Sequence, residues 1–178
     1  MKMNKLFQVL TGLPDTASAK PERRNFGGKY DYAFVLSGYV AEYYEIGPKK
    51  KKVMAMLFEE GEMLFKSHHS SHFEKINDAR MLFFEEGAVK DIIRQSPIYA
   101  HNFHDVQEKY ARKVEERILV HQDYSPLRRF MHLLDTTAWA FDELPPVEIA
   151  SYLAVPVEFV VDQIKWALHF DYEENHEE

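Results

Sequence analysis

The chain has no cysteine. That absence removes disulfides, thiolate zinc sites, cysteine-ligated iron–sulfur clusters and cysteine nucleophiles together. Long apolar runs are also missing, and the start, Met1-Lys2-Met3-Asn4-Lys5-Leu6-Phe7, lacks an extended hydrophobic region followed by a cleavage site. The expectation is a soluble, intracellular, cytoplasmic protein with no membrane partner. There is no phosphate-binding glycine loop, no G-x-S-x-G and no H-E-x-x-H, and we find no internal repeat. Acidic neighbours such as Glu59/Glu60 and Glu85/Glu86 point to opposite faces of a strand, so they do not converge as an acid–base pair. No catalytic residue is expected, and the chain does not read as an enzyme.

What is present supports a packed core. Hydrophobic residues make up 46% and aromatics 14% of 178 residues, enough for one large domain or two small ones. The net charge of −7 is unevenly spread. From Pro126 to Glu178 there are three basic residues (Arg128, Arg129, Lys165) and eleven acidic ones, a net −8 that leaves the preceding part near neutral.

Residues 1–29 are weakly patterned, with a possible short helix at Leu6–Leu10 followed by loop. Residues 30–65 alternate as β-strands: Tyr32, Phe34, Leu36, then Tyr39, Ala41, Tyr43, with Gly38 as a bulge or a close backbone approach. Gly47-Pro48 and Lys49–Lys52 mark a hairpin tip, with the lysines read as a solvated turn rather than a phosphate patch. Val53–Phe58 returns, and short strands follow at Phe73–Ile76 and Arg80–Glu85, a pattern of sandwich or barrel type. Ala88–Arg94 reads as one or two helical turns.

From Pro97 the period changes to three or four. Tyr99, Phe103, Val106, Tyr110, Val114 and Ile118 form a narrow apolar stripe on one long helix ending near His121-Gln122-Asp123. Such a stripe either pairs with a second copy or packs on the chain's own barrel; dimerisation is the expectation. Ser125-Pro126 opens another helix carrying Leu127, Phe130, Met131 and Leu134. Then come two short helices at a tight turn. Pro145 and Pro146 open the first, with Ile149, Tyr152 and Leu153 on its apolar face. Ala154-Val155-Pro156 makes the turn, and Phe159, Val160, Ile164 and Leu168 recur in the second. This is the pattern of a helix-turn-helix, whose second helix usually enters the DNA major groove. The exposed positions expected there, Val157, Glu158 and Asp162, offer no Arg, Asn or Gln for bidentate base contacts, which leaves Gln163 and Lys165.

The order of β-roll, long helix and helix-turn-helix resembles the Crp/Fnr family of bacterial transcription regulators. Phe34-Val35-Leu36-Ser37-Gly38-Tyr39-Val40 resembles a family strand, and Gly61-Glu62 within Phe58–Leu64 resembles the start of its phosphate-binding cassette. Ser125–Leu134 resembles its S/A-P-x-x-R helix, and Glu148-Ile149-Ala150-Ser151-Tyr152-Leu153 is similar to the Bacteroidetes-type first helix of its DNA-binding unit. The resemblance covers residues 30–168. It implies an α+β chain: a double-stranded β-helix (jelly-roll, cyclic-nucleotide-binding-like) sensor domain at 1–96, a dimerisation helix at 97–124, and a helix-turn-helix domain with an acidic tail at 125–178, lacking a complete wing.

The resemblance also implies sites. An effector would contact Gly61, Glu62, His69, Ser70, Phe103 and Tyr110; DNA would meet Arg128, Arg129, Val157, Glu158, Asp162, Gln163 and Lys165; a homodimer would close along Tyr99, Phe103, Val106, Tyr110, Val114 and Ile118. Both binding motifs are degenerate. Where cyclic-nucleotide binders carry Arg then Ser or Thr, His69-Ser70 stands, and no Arg lies between Ser67 and Phe73. Without a guanidinium fork a cyclic phosphate is poorly held, so cyclic AMP is not the expected effector. The reading helix lacks the family's arginines, and its turn glycine is Ala154. Two functions stand: a DNA-binding regulator, or an offshoot that no longer binds DNA and serves as a small-molecule-binding or protein-interaction module. Histidines at 68, 69 and 72 and at 101 and 104 could hold a metal or haem, but no carboxylate or thiol completes a ligand set, and neither metal nor cofactor is expected.

Overall fold

The computed structural model describes residues 31–65 and 71–174, with side chains described as far as Ala167. The expected helix at Leu6–Leu10 and the segment holding His68, His69 and Ser70 lie outside these residues. The elements in order are β1 (Tyr32–Ile46), β2 (Lys51–Phe58), β3 (Met63–Phe65), β4 (Ser71–Phe84), α1 (Glu86–Gln95), α2 (Pro97–Asp123), α3 (Pro126–Thr136), α4 (Trp139–Glu143), α5 (Pro146–Leu153) and α6 (Val157–Glu174). The class is α+β. The described strands form one four-stranded antiparallel sheet rather than the eight strands of a complete jelly roll.

β1 is the spine of that sheet. Along one edge it pairs with β4 from Tyr32↔Phe84 to Tyr44↔Ser71. Along the other it pairs first with β3 (Phe34↔Met63) and then with β2 (Val40↔Phe58 to Ile46↔Lys51). The two short strands expected at Phe73–Ile76 and Arg80–Glu85 are one strand, β4, with a break that does not end the pairing. Asn77 adopts φ 55° there, a left-handed conformation that Asn tolerates. Opposite it Gly38 sits at φ 76°, and a Cβ on Gly38 would lie 2.8 Å from the Ala79 Cα. The glycine is therefore required twice, by its backbone angle and by the close approach.

Each face of β1 builds a core cluster. Phe34, Met63 and Phe84 pack with Val89 and Ile92 of α1 and with Phe103 and Val106 of α2. Ala33, Val35, Val40, Met56, Phe58, Leu64, Phe73 and Met81 form the other cluster, with Tyr110 and Val114 of α2 packed against it. The expected dimer stripe is thus largely covered by the chain's own sheet. Phe103 and Val106 are buried, Tyr99, Tyr110 and Val114 partly so, and only Ile118 is exposed. A seam of apolar residues has the same spacing whether its cover is a second copy or the same chain, which is why sequence spacing does not separate the two.

The chain divides into two compact units, the first ending at Glu116 and the second starting at Arg117, within α2. In the second unit, Ser125 caps α3 by accepting from the Arg128 N–H, and Pro126 occupies the first turn. Phe130, Leu133, Ala140, Leu144, Ile149, Ala150, Leu153 and Val160 are its buried apolar residues. The Phe130 ring lies 5.0 Å from Phe141 and 6.4 Å from Phe159. Pro145 caps α5 and Pro146 begins it. Ala154 then turns left-handed at φ 52°, with its N–H and that of Val155 closing on the Ala150 and Ser151 carbonyls. This is the tight turn of a helix-turn-helix, made with alanine where glycine costs less strain. Among the described residues no strand follows α6.

Replacing Gly38 with alanine should destabilise the protein by about 2 kcal/mol or more, the sum of left-handed strain and a backbone clash. Urea unfolding monitored by circular dichroism checks this; an unchanged midpoint would remove the close approach from the account.

Candidate functional site

In the first unit the turn Glu59–Glu62 places the Gly61-Glu62 pair on the sheet. Gly61, at φ 90°, donates its N–H to the Val35 carbonyl at 3.0 Å, and the Val35 N–H returns a bond to the Glu62 carbonyl at 2.9 Å. The Glu62 carboxylate receives the Glu59 N–H at 2.8 Å and the Lys113 ammonium of α2 at 2.5 and 2.6 Å. Both ends of that ion pair are about one-third exposed, at 31%. Lys113 also lies 5.1 Å above the Phe58 ring. Glu62, expected to greet an effector, is therefore already engaged by the long helix.

Tyr110 and Phe103 join it there. The Tyr110 ring stacks on Phe58 at 6.3 Å and meets Phe65 at 4.8 Å, while Phe103 lies 6.2 Å from Phe65 and 5.7 Å from Tyr32. Four of the six expected effector residues, Gly61, Glu62, Phe103 and Tyr110, are thus in the wall between sheet and helix. His69 and Ser70 lie outside the described residues.

Sequence patterning missed one residue of this wall. Glu42 reads as the polar half of a strand alternation, yet it is 1% exposed. Its neighbours across the sheet are Met56 and Phe73, and the β1–β2 register shifts between Glu42 and Tyr43, a bulge of the kind that re-aims a side chain. Tyr44 donates its hydroxyl to Glu42 Oε1 at 3.2 Å. Burial pushes the Glu42 carboxyl above the ordinary carboxylate range, against the opposing pull of the Ser71 and Tyr44 hydroxyls. Burial also raises the Tyr110 phenol, with Glu42 and then Tyr44 adding to the effect.

In the second unit the arginines are drawn inward. Arg129 donates from Nε to the Tyr124 carbonyl at 2.9 Å and from Nη1 to the Leu153 carbonyl at 2.8 Å. Arg117 donates from Nη2 to the Tyr152 carbonyl, and its guanidinium carbon lies 3.5 Å from the Tyr152 ring centroid. The two guanidiniums neutralise the carbonyl end of α5, where unpaired carbonyls and the helix dipole favour cations. Arg129, expected at DNA, is thereby a helix cap. Burial lowers Arg117 to about 10, so it remains charged at neutral pH.

Beside this pair sits His121, lowered to about 4 by burial and then by the charges of Arg117 and Arg129, with the Tyr152 carbonyl opposing. Its buried Nε2 has no hydrogen-bond partner. Of the other expected DNA contacts, Arg128 is exposed with its guanidinium 4.5 Å from the Tyr124 ring centroid. Glu158, Asp162 and Lys165 are exposed on α6, while Val157 and Gln163 are half-buried. Trp166, not singled out from sequence, is 58% exposed on the same helix.

His101 and His104 are exposed on α2, within 3.7 Å of Asp105 and 3.3 Å of Glu108 respectively. Among the described residues no group of three His, Cys, Asp or Glu side chains could hold a metal ion. No helix among the described residues is long and apolar enough to cross a membrane.

No family model and no curated protein matches this chain. Solved structures do. FixK2 from Bradyrhizobium japonicum superposes with a TM-score of 0.70 at 16% identity, over 89% of this chain and 86% of that one. A CooA variant from Carboxydothermus hydrogenoformans gives 0.63 at 17%, over 98% and 86%. A regulator from Eubacterium rectale assigned to the Crp/Fnr family gives 0.62 at 11%, over 91% and 82%. The chain has the Crp/Fnr fold. At these identities the match fixes architecture, and the side chains above define what this version of the Crp/Fnr fold presents.

The lowered His121 gives a pH prediction with a defined sign. The unfolded chain takes up a proton near the ordinary histidine value and the folded chain only near 4, so stability is full at neutral pH and falls as pH drops through that window. His121→Gln should lose less stability than the wild type between pH 7 and pH 4.5 in parallel urea titrations. Identical slopes would clear His121 of the effect.

Proposed function

We propose that this protein is a Crp/Fnr-type transcriptional regulator, working in the cytoplasm, that does not respond to cyclic AMP. The observation that carries the reading is α2, one continuous helix that belongs to both units of a Crp/Fnr fold. Its first part packs on the sensor sheet through Phe103 and Val106, and its last residues enter the unit that holds the helix-turn-helix. An effector that altered the sheet–helix wall would thereby bias the second unit by selecting between packing states. Cyclic AMP is disfavoured because the wall presents the Glu42 and Glu62 carboxylates, with Lys113 already on Glu62.

A homodimer would use what α2 leaves uncovered. Ile118 and Leu119 are 49% and 54% exposed, whereas Phe103 and Val106 are buried within the chain's own core. The double variant Ile118→Asp with Leu119→Asp should give monomers by light scattering while keeping its circular dichroism; an unchanged dimer mass would exclude this contact.

A second reading has its own observation. With Arg117 and Arg129 turned to backbone carbonyls, the exposed face of α6 carries Glu158, Asp162 and Trp166 against the single cation Lys165. That surface suits a protein partner better than phosphates, because exposed aromatics anchor protein interfaces and acids repel DNA. Under this reading the chain is a family offshoot that has lost DNA binding.

Fluorescence anisotropy with mixed genomic DNA fragments, at about 50 and 200 mM salt, separates the two, since phosphate-driven affinity falls steeply over that range. Salt-sensitive binding is expected of the regulator. Absence of binding at low salt, by folded dimeric protein, would leave the second reading.

A further inference from the structure

Glu42 is a buried carboxylate met by hydroxyls rather than by a cation. Burying a carboxylate costs free energy unless it is paired, and among the described residues it is the only fully buried acidic or basic side chain. The Tyr44 hydroxyl donates to its Oε1 at 3.2 Å and the Ser71 hydroxyl also favours its charged form, but among the described residues no cation is paired with it. Lys113, a cation on the stretch of α2 that packs on this sheet, is engaged with Glu62. An apolar residue here would pack against Met56 and Phe73 without that cost. A buried ionisable group held against folding stability, where α2 meets the sheet, is a candidate for a functional role.

The surroundings name the ligand. Phe73 is the direct cross-strand neighbour of Glu42, and Phe58 lies 6.1 Å from Phe73 and stacks on Tyr110 at 6.3 Å. The phenol of Tyr110 is close enough for its titration to feel the Glu42 charge. Aromatic faces and a buried carboxylate are complementary to a desolvated organic cation, the carboxylate accepting its N–H bonds and the rings its charge and apolar body. Met56, the neighbour on the other side, is an unbranched side chain that re-packs readily around an incoming group.

We propose that the sheet–helix wall around Glu42, Phe58, Phe73 and Tyr110 binds a small organic cation carrying an aromatic or apolar body on a primary ammonium or amidinium, and that this cation is the effector. The inference rests on the regulator reading for the word effector, but the binding site stands without it. An anion such as a cyclic phosphate would meet the Glu42 carboxylate instead of a guanidinium.

The test uses the full chain, with phenethylamine and benzamidine as cationic probes, 2-phenylethanol as the uncharged match in shape, and phenylacetate and cyclic AMP as anions. Thermal unfolding with and without millimolar probe is followed by calorimetric titration. The expected result is a rise in Tm of a few degrees with one or both cations, as ligand binding to the folded state requires, and none with the alcohol or the anions. Glu42→Gln, which keeps the shape and removes the charge, should fold at least as stably and bind the cation about tenfold more weakly or worse. Should that variant not fold, the wild-type preference for phenethylamine over 2-phenylethanol decides. No shift with either cation, an equal shift with the alcohol, or equal affinity in wild type and Glu42→Gln overturns the proposal. The DNA titration is run beside it: cation binding without DNA binding would overturn the regulator reading alone, and DNA binding without cation binding this inference alone.

Discussion

Everything in this molecule turns on the burial of one face of α2 against the sheet that β1 organises. Phe103 and Val106 go into the same cluster as Phe34, Met63 and Phe84, and Tyr110 and Val114 cover the cluster on the other face of β1. Most of a helix's stability in a protein comes from packing its apolar face, and for this twenty-seven-residue helix that face lies on the sheet. The same contact makes the part of the helix up to Glu116 belong to the first unit. Lys113 on Glu62 adds a charged tie at the turn that begins β3. The boundary between the two units, at Glu116 and Arg117, falls within this helix.

Charge inside each unit is placed mostly against groups of opposite polarity. At the carbonyl end of α5, Arg117 and Arg129 satisfy the Tyr152 and Leu153 carbonyls, while burial and then these two guanidiniums hold His121 down to about 4. In the first unit Glu62 is neutralised by Lys113, whereas among the described residues Glu42 is met by the hydroxyls of Tyr44 and Ser71 alone. The contrast between a compensated and an uncompensated carboxylate within one wall is what separates a structural tie from a candidate site.

Much of the architecture was legible along the chain. Alternation around Tyr32–Tyr43, the glycine interrupting it, the switch to helical spacing at Pro97, the Ser125-Pro126 start and the Ala154 turn all correspond to observed features, because each depends on backbone chemistry within a few residues. The break in β4 has the sequence marks of a strand end, since Asn77 and Asp78 look the same in a bulge as in a turn. Of the site, Gly61, Glu62, Phe103 and Tyr110 were found through motif and stripe. Glu42 was not, because an acid on an alternating strand ordinarily faces solvent.

By itself, then, the sequence determined the elements and their order: local periodicity, turn residues and caps are properties of neighbouring residues. It also determined the acidity of the last third of the chain, which needs only counting. Tertiary structure alone decided what covers each apolar stripe and where each charge points. The α2 seam lies on its own sheet, Arg129 caps α5 instead of facing outward, and Glu42 turns inward at a bulge. Those outcomes depend on contacts between residues tens of positions apart, such as the pairing of Lys113 with Glu62, which leave no mark in local spacing.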